Sequence, residues 1–175
     1  MRIIAIDPGY GRLGIAVLEK EKRGKETLVY SNCFKTDKKL EHFERLGLIG
    51  NEIERVIMEH KPEVLCLETL FFSKNQKTAI TVAEARGVIL FQASKHNLKV
   101  YEYGPGQIKV AVTGYGKSDK AAMLGMVGKL LKIDRKTAYD DEYDAIAVGL
   151  TCLAVEKFAP CKFALLFHRR GRLQR

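Results

Sequence analysis

Two short apolar runs, residues 2–6 (Arg-Ile-Ile-Ala-Ile) and 64–67 (Val-Leu-Cys-Leu), each stop at an acidic residue, Asp7 and Glu68, and this constrains the fold most. Runs of this length bounded by turn chemistry, here Asp7-Pro8-Gly9, read as strands rather than helices. Residues 13–19 and 27–34 read as two more strands, with the charged stretch 20–25 between them, so the first three strands predict an antiparallel meander. Leu40, Phe43, Leu46, Ile49, Ile53, Val56 and Ile57 recur at helical spacing over residues 40–60, and Lys61-Pro62 ends that helix. A helix over residues 76–96 follows the fourth strand, then a fifth strand at 99–103. Gly104-Pro105-Gly106 breaks the chain before shorter helices near 107–113 and 118–131, and a last helix runs from about 141 to 157.

A strand–helix–strand crossover implies parallel pairing. The order therefore predicts an α/β fold: a mixed five-stranded sheet with helices on both faces. If the first and fourth strands are parallel neighbours, Asp7 and Glu68 leave the sheet at the same edge, where such sheets place their sites. Asp141 and Asp144 sit three residues apart at the start of the last helix, on one face about 5–6 Å apart. Asp140 adjoins Asp141, so a one-residue shift in register would exchange them; the spacing to Asp144 favours Asp141. Asp-Pro-Gly is also ordinary turn chemistry, and acids at a helix start also cap it. Four carboxylates gathered together, however, need cations to offset their repulsion. Two Mg²⁺ ions would neutralise them and suit phosphodiester cleavage.

Charge points to the same class of partner. The chain carries a net charge of +9, distributed unevenly. Seven Lys/Arg face two Asp between Gly104 and Lys136, and five face none between Cys161 and Arg175. Between them lies the acidic group Asp140, Asp141, Glu142 and Asp144. Such a balance suits nucleic acid. Lys109, Lys117 and Lys120 follow a glycine-rich turn and are candidate phosphate contacts. One of the paired aromatics Phe71 and Phe72 would pack inward while the other, Phe71 by preference, stacks on an unpaired base. Lys74 and Arg86 complete the candidate DNA contacts. Cys33, Cys66, Cys152 and Cys161 show no paired spacing, so they read as small core residues rather than zinc ligands or disulfides. His42, His60, His96 and His168 lack ligand spacing and read as surface or incidental residues. No apolar run approaches the roughly 20 residues that span a bilayer, and no leader is visible, so a cytoplasmic protein, nucleoid-associated when acting and without membrane contact, is expected.

The motifs now stand together. Ile6-Asp7-Pro8-Gly9 with Gly14, Leu67-Glu68 with Phe71, Lys74 and Asn75, Ala83-Glu84-Ala85-Arg86-Gly87, and Asp141-Glu142-Tyr143-Asp144-Ala145-Ile146-Ala147 resemble, in order, the bacterial RuvC family of Holliday-junction resolvases. The resemblance runs from Met1 to about Leu153, and Arg170-Gly171-Arg172-Leu173 is also similar. It implies a ribonuclease-H-like fold over residues 1–158 with a basic tail at 159–175. It further implies a homodimer, paired symmetric nicking of four-way junction DNA with Mg²⁺ or, as a substitute, Mn²⁺, and work beside the RuvA and RuvB branch-migration proteins. By motif, its catalytic, metal-holding acids fall on Asp7, Glu68, Asp141 and Asp144, its junction-inserting aromatic on Phe71, and its phosphate contacts on Lys109 and Lys120. Thr69 departs from the polar amide the pattern would place after the glutamate.

Other readings share parts of this pattern. A ribosomal-RNA-trimming nuclease of the same fold would share the acids but not the loop aromatics. A non-catalytic binder would need the basic surface but not the acids. An actin-like ATPase would need a second phosphate loop and about twice the length.

Overall fold

The computed structural model of the chain describes residues 1–21, 24–70, 76–132 and 139–156. Five strands and five helices follow in the order β1 (Arg2–Asp7), β2 (Arg12–Lys20), β3 (Glu26–Lys35), α1 (His42–His60), β4 (Val64–Glu68), α2 (Gln76–Lys95), β5 (Lys99–Tyr103), α3 (Pro105–Thr113), α4 (Lys120–Leu131) and α5 (Asp140–Val155). They form one sheet of order β3-β2-β1-β4-β5. β1, β2 and β3 pair antiparallel, whereas β1–β4 and β4–β5 pair parallel. Five strands, mixed pairing and the crossover through α1 are as the strand order predicted.

Alternation along each strand sorts the apolar side chains onto two faces. Ile3, Ala5, Ala16, Leu18, Val64 and Cys66 join α3, α4 and α5 in one core. Ile4, Ile6, Leu13, Ile15, Val17, Leu65 and Leu67 join α1 and α2 in the other. Helices therefore cover both faces. Between their charged ends, Ile3–Ile6 of β1 and Val64–Leu67 of β4 are wholly apolar because neither of their faces meets water.

The same alternation aims the functional residues. Asp7 continues the Ile3–Ala5 side and Glu68 the Val64–Cys66 side, so both belong to the face covered by α5. In the parallel register Ile6 pairs with Leu67, which puts the two acids one step further on neighbouring strands.

α5 lies close against the sheet. A Cβ on Gly149 would come 2.4 Å from Leu18 Cδ1 and 3.1 Å from Ala5 Cβ. At the helix start, a Cβ on Gly14 would come 1.9 Å from the carbonyl oxygen of Asp141 and 3.1 Å from Asp7 Cβ. Gly14, the β2 partner of Asp7, thus leaves room for the acidic end of α5 to rest beside Asp7.

Two expectations change. Phe43 is 73% exposed rather than part of the inward stripe of α1. At 100° per residue, His42 rather than Phe43 aligns with Ile49 and Ile53, seven and eleven residues on. Leu40 precedes the helix and is exposed. His42 lies at the surface, as expected, but is engaged there: its Nδ1 lies 2.8 Å from Tyr10 Oη and its Nε2 2.8 Å from Glu84 Oε2. Cys33, Cys66 and Cys152 are buried, as expected of core residues. Cys161, His168 and the basic tail lie outside the described residues. No helix among those described is long and apolar enough to cross a membrane.

Candidate active site

Asp7 ends β1 in a setting hostile to its charge. Burial, then the negative charges of Glu68, Asp144 and Asp141, lift its carboxyl from an ordinary 3.8 to about 7, with Lys120 opposing. Burial also raises Glu68, helped by Asp144 and opposed by Lys109. Asp144 is raised by burial against the pull of Lys120, with Asp140 and Asp141 adding to the rise. The four expected acids are therefore brought together. Asp141 acts on Asp7, while Asp140 is absent from the charges that do so; Asp140 points instead to Lys120, Oδ2 to Nζ 3.0 Å. The adjacent pair is thus divided between two directions by the helical turn.

Each outlying acid has a cation at its side. Lys120 Nζ is 3.5 Å from Asp144 Oδ2, and Arg12 Nε is 3.2 Å from Asp141 Oδ2. Among the described residues no three Asp, Glu, His or Cys side chains form a ready-made metal shell. The donor set nevertheless fits a hard divalent cation. All donors are oxygens, and Asp7 is held in a site that penalises its ionised form unless positive charge enters. Mg²⁺-type sites use one or two carboxylates, waters and substrate oxygens rather than a closed protein cage.

Two adjoining concavities open over these groups. One, about 250 Å³, is lined by Glu68, Lys109, Lys120 and Asp144 on an apolar floor of Ile108, Met123 and Ala147. The other, about 280 Å³, is lined by Asp7, Pro8, Glu68, Thr69, Leu70 and Pro105. Lys109 on α3 and Lys120 on α4 thus form a basic wall beside the acids. Lys117 is exposed in the connection between those helices. The walls are held locally. Gly104 N–H donates to Gln107 Oε1 at 2.8 Å at the start of α3, and Asp119 accepts from Ala122 N–H at 2.8 Å at the start of α4. Thr69 donates both its backbone N–H, at 3.0 Å, and its Oγ1 hydroxyl, at 3.4 Å, to the Tyr103 carbonyl, so the chain leaving Glu68 is tied to β5.

Arg86 is elsewhere. It meets Glu102 at 2.6 Å, and Glu102 alternates with Tyr101 and Tyr103 to lie on the α1–α2 face, away from the carboxylates. Phe71, Phe72 and Lys74 fall outside the described residues.

Sequence reasoning missed the cations and tethers on the β2–β3 side. Arg12 pairs with Lys35 across the strands, and Lys35 Nζ sits 3.6 Å above the Tyr139 ring. The loop after Asp7 is strapped down as well. Thr36 Oγ1 donates to Tyr10 carbonyl at 2.8 Å, Arg45 stacks 3.8 Å over the Tyr10 ring, and His42 joins Tyr10 to Glu84 on α2. The available signal for Arg12 was its place two residues before Gly14, hence on the same side of β2.

This arrangement has solved counterparts. The fold matches Thermus thermophilus RuvC at a TM-score of 0.79 and 31% identity, covering 87% of this chain and 93% of that one. It also matches T. thermophilus RuvC in complex with Holliday junction substrate at 0.83 and 30% identity, covering 88% and 93%. The fold is thus ribonuclease-H-like. The crossover junction endodeoxyribonuclease RuvC of Thermosipho melanesiensis is 48% identical over 156 residues, 89% of this chain and 98% of that protein. A family model described as crossover junction endodeoxyribonuclease RuvC matches residues 3–152, from the first residues of β1 almost to the end of α5. Because that match contains both acid-bearing strands and the helix that completes the cluster, the chain belongs to the RuvC family of crossover junction endodeoxyribonucleases.

Proposed function

We propose that the chain is a structure-selective endonuclease that resolves four-way DNA junctions by paired, symmetric, metal-dependent phosphodiester hydrolysis in recombination and repair. The observation that carries this reading is the convergence of Asp7, Glu68, Asp141 and Asp144 on one sheet edge, at the mouth of a cleft walled by Lys109 and Lys120. Asp7, Glu68, Asp141 and Asp144 would hold two Mg²⁺ ions, with Mn²⁺ as a substitute. Bound there, such ions supply an activated water and stabilise the leaving oxygen. The chain's own residues do the rest. Lys109 and Lys120 draw a phosphate toward the acids, Lys117 extends that contact, and the apolar floor keeps bulk water from the reacting side. Phe71 would stack on an unpaired base, with Phe72, Lys74 and Arg86 as further contacts; Arg86 would reach DNA by giving up Glu102.

Paired nicks on a two-fold junction call for a two-fold dimer, so the working form is a homodimer. Within the same reading, residues 1–158 are the nuclease domain and 159–175 a basic tail. The protein acts in the cytoplasm on nucleoid DNA, beside RuvA and RuvB.

The test is incubation of a synthetic mobile four-way junction with and without Mg²⁺, mapping both nicks, with duplex DNA and RNA alongside. Symmetric Mg²⁺-dependent nicks at the junction are expected. Asp7→Asn should abolish cleavage while leaving junction affinity within a few-fold. A variant that still cuts would remove the metal role, and preferential cutting of RNA would transfer the site to another substrate.

A further inference from the structure

We propose that Arg12 and Lys35 form a second phosphate-contact strip, on the β2–β3 side of the carboxylates and opposite Lys109 and Lys120. This rests on the junction-nuclease reading above and adds to it the path of the DNA backbone across the site.

The strip follows from register. Arg12 and Lys35 are directly opposed in the β2–β3 pairing, so their side chains leave the same face of the sheet. Arg12 lies two residues before Gly14, and Lys35 two residues after Cys33, both on the α5 face. The cations also approach one place. Arg12 reaches Asp141 at 3.2 Å, and Cys33 Sγ lies 3.9 Å from the same carboxylate oxygen.

Neither cation is committed to the fold. Arg12 is 56% exposed, and an ion pair that open to water contributes little to stability. Lys35 is exposed, its Nζ 3.6 Å from the ring of Tyr139, itself 37% exposed. Both side chains are free to turn to an arriving anion.

Position then identifies the ligand. In the order β3-β2-β1-β4-β5, Asp7 is central, with Glu68 and the Lys109–Lys120 wall to one side and Arg12 and Lys35 to the other. Strands about 4.8 Å apart put β3 about 10 Å from β1. That equals about three phosphate-to-phosphate steps along the axis of one DNA strand. A basic wall on one side alone would fix a phosphodiester backbone at one end. Cations on both sides hold it across the acids, and phosphate contacts of this kind set register without reading sequence.

The experiment measures binding of a labelled four-way junction in the Asp7→Asn background without divalent cation, from about 50 to 200 mM salt. Each lost phosphate contact should lower the slope of log K against log[salt] by about 0.9. Arg12→Gln and Lys35→Gln should each do so, the double variant should lose about 1.8, and Arg12→Lys should keep the parental slope. Lys99→Gln, an exposed charge at the start of β5 and the opposite end of the strands, should change nothing. Thermal midpoints equal to the parent's confirm that each variant folds, and Lys35→Arg provides a second charge-keeping check. A parental slope in both single variants, or an equal fall in Lys99→Gln, overturns the strip. A parent with no preference for junction over duplex instead removes the functional reading, and the strip with it.

Discussion

Asp7 binds its proton more tightly in the folded chain than in the unfolded one, because burial and three neighbouring carboxylates raise its pKa to about 7 from 3.8. For an acid raised in this way, the folded state holds more protons between those two values, so stability falls as pH rises through about 4 to 7 and then levels. The loss attributable to Asp7 is about 4 kcal/mol at most. Without metal, Asp7→Asn should therefore be more stable than the parent at pH 8 and indistinguishable from it below pH 3.8, as read by denaturant unfolding. Mg²⁺ at about 100 times its dissociation constant should add about 2.7 kcal/mol to the parent at pH 8 and markedly less to Asp7→Asn. A parent whose stability is flat from pH 4 to 8 would show that the carboxylates do not crowd one another.

Among the elements, α5 decides whether a cluster exists, and it does so through close contact rather than capping. Tyr139 at its N-cap makes no side-chain cap bond, and its first turn holds Asp140, Asp141 and Glu142. Glu142 turns back to β3, where Ser31 Oγ donates to it, so successive acids leave the helix toward Lys120, Arg12 and Ser31. Gly14→Ala would drive a methyl into the Asp141 carbonyl and force the helix start away from Asp7. The expected cost is about 1–3 kcal/mol in unfolding, with Mg²⁺ affinity by calorimetry falling further than stability alone explains. A substitution that leaves metal affinity intact would show that the helix start has slack.

Over the whole molecule, the chain carries a net charge of +9 while Lys109, Lys120 and Arg12 flank the acids among the described residues, a balance that favours DNA at a distance and cations at the site. Ending the chain at residue 158 should leave the thermal midpoint unchanged, since the described residues of both cores all lie between Met1 and Leu153. It should weaken junction binding and reduce its salt dependence, because Lys162, Arg169, Arg170, Arg172 and Arg175 are removed. A midpoint several degrees lower would place the tail in the fold instead. Sedimentation at twice the 19.7 kDa chain mass would support the dimer, and a monomer competent for paired nicks would refute it.

Much of this was legible along the chain. Apolar runs and helical spacing placed every element within a few residues, because periods of two and 3.6 are local properties of the backbone. The strand-terminal acids followed from the same runs, and the helix acids from their spacing. What spacing could not reach was lateral. Whether Asp140 or Asp141 faces Asp7 depended on how far α5 rotates over the sheet, which Gly14 and Gly149 permit. That Arg86 lies on the other face, that His42 straps the Asp7 loop, and that Arg12 meets Lys35 all depended on strand order and register. The sequence by itself determined which residues alternate inward and where each strand stops. Only tertiary packing decided which of those ends become neighbours, since contacts between distant segments arise from the joint burial of two cores rather than from either segment's own pattern.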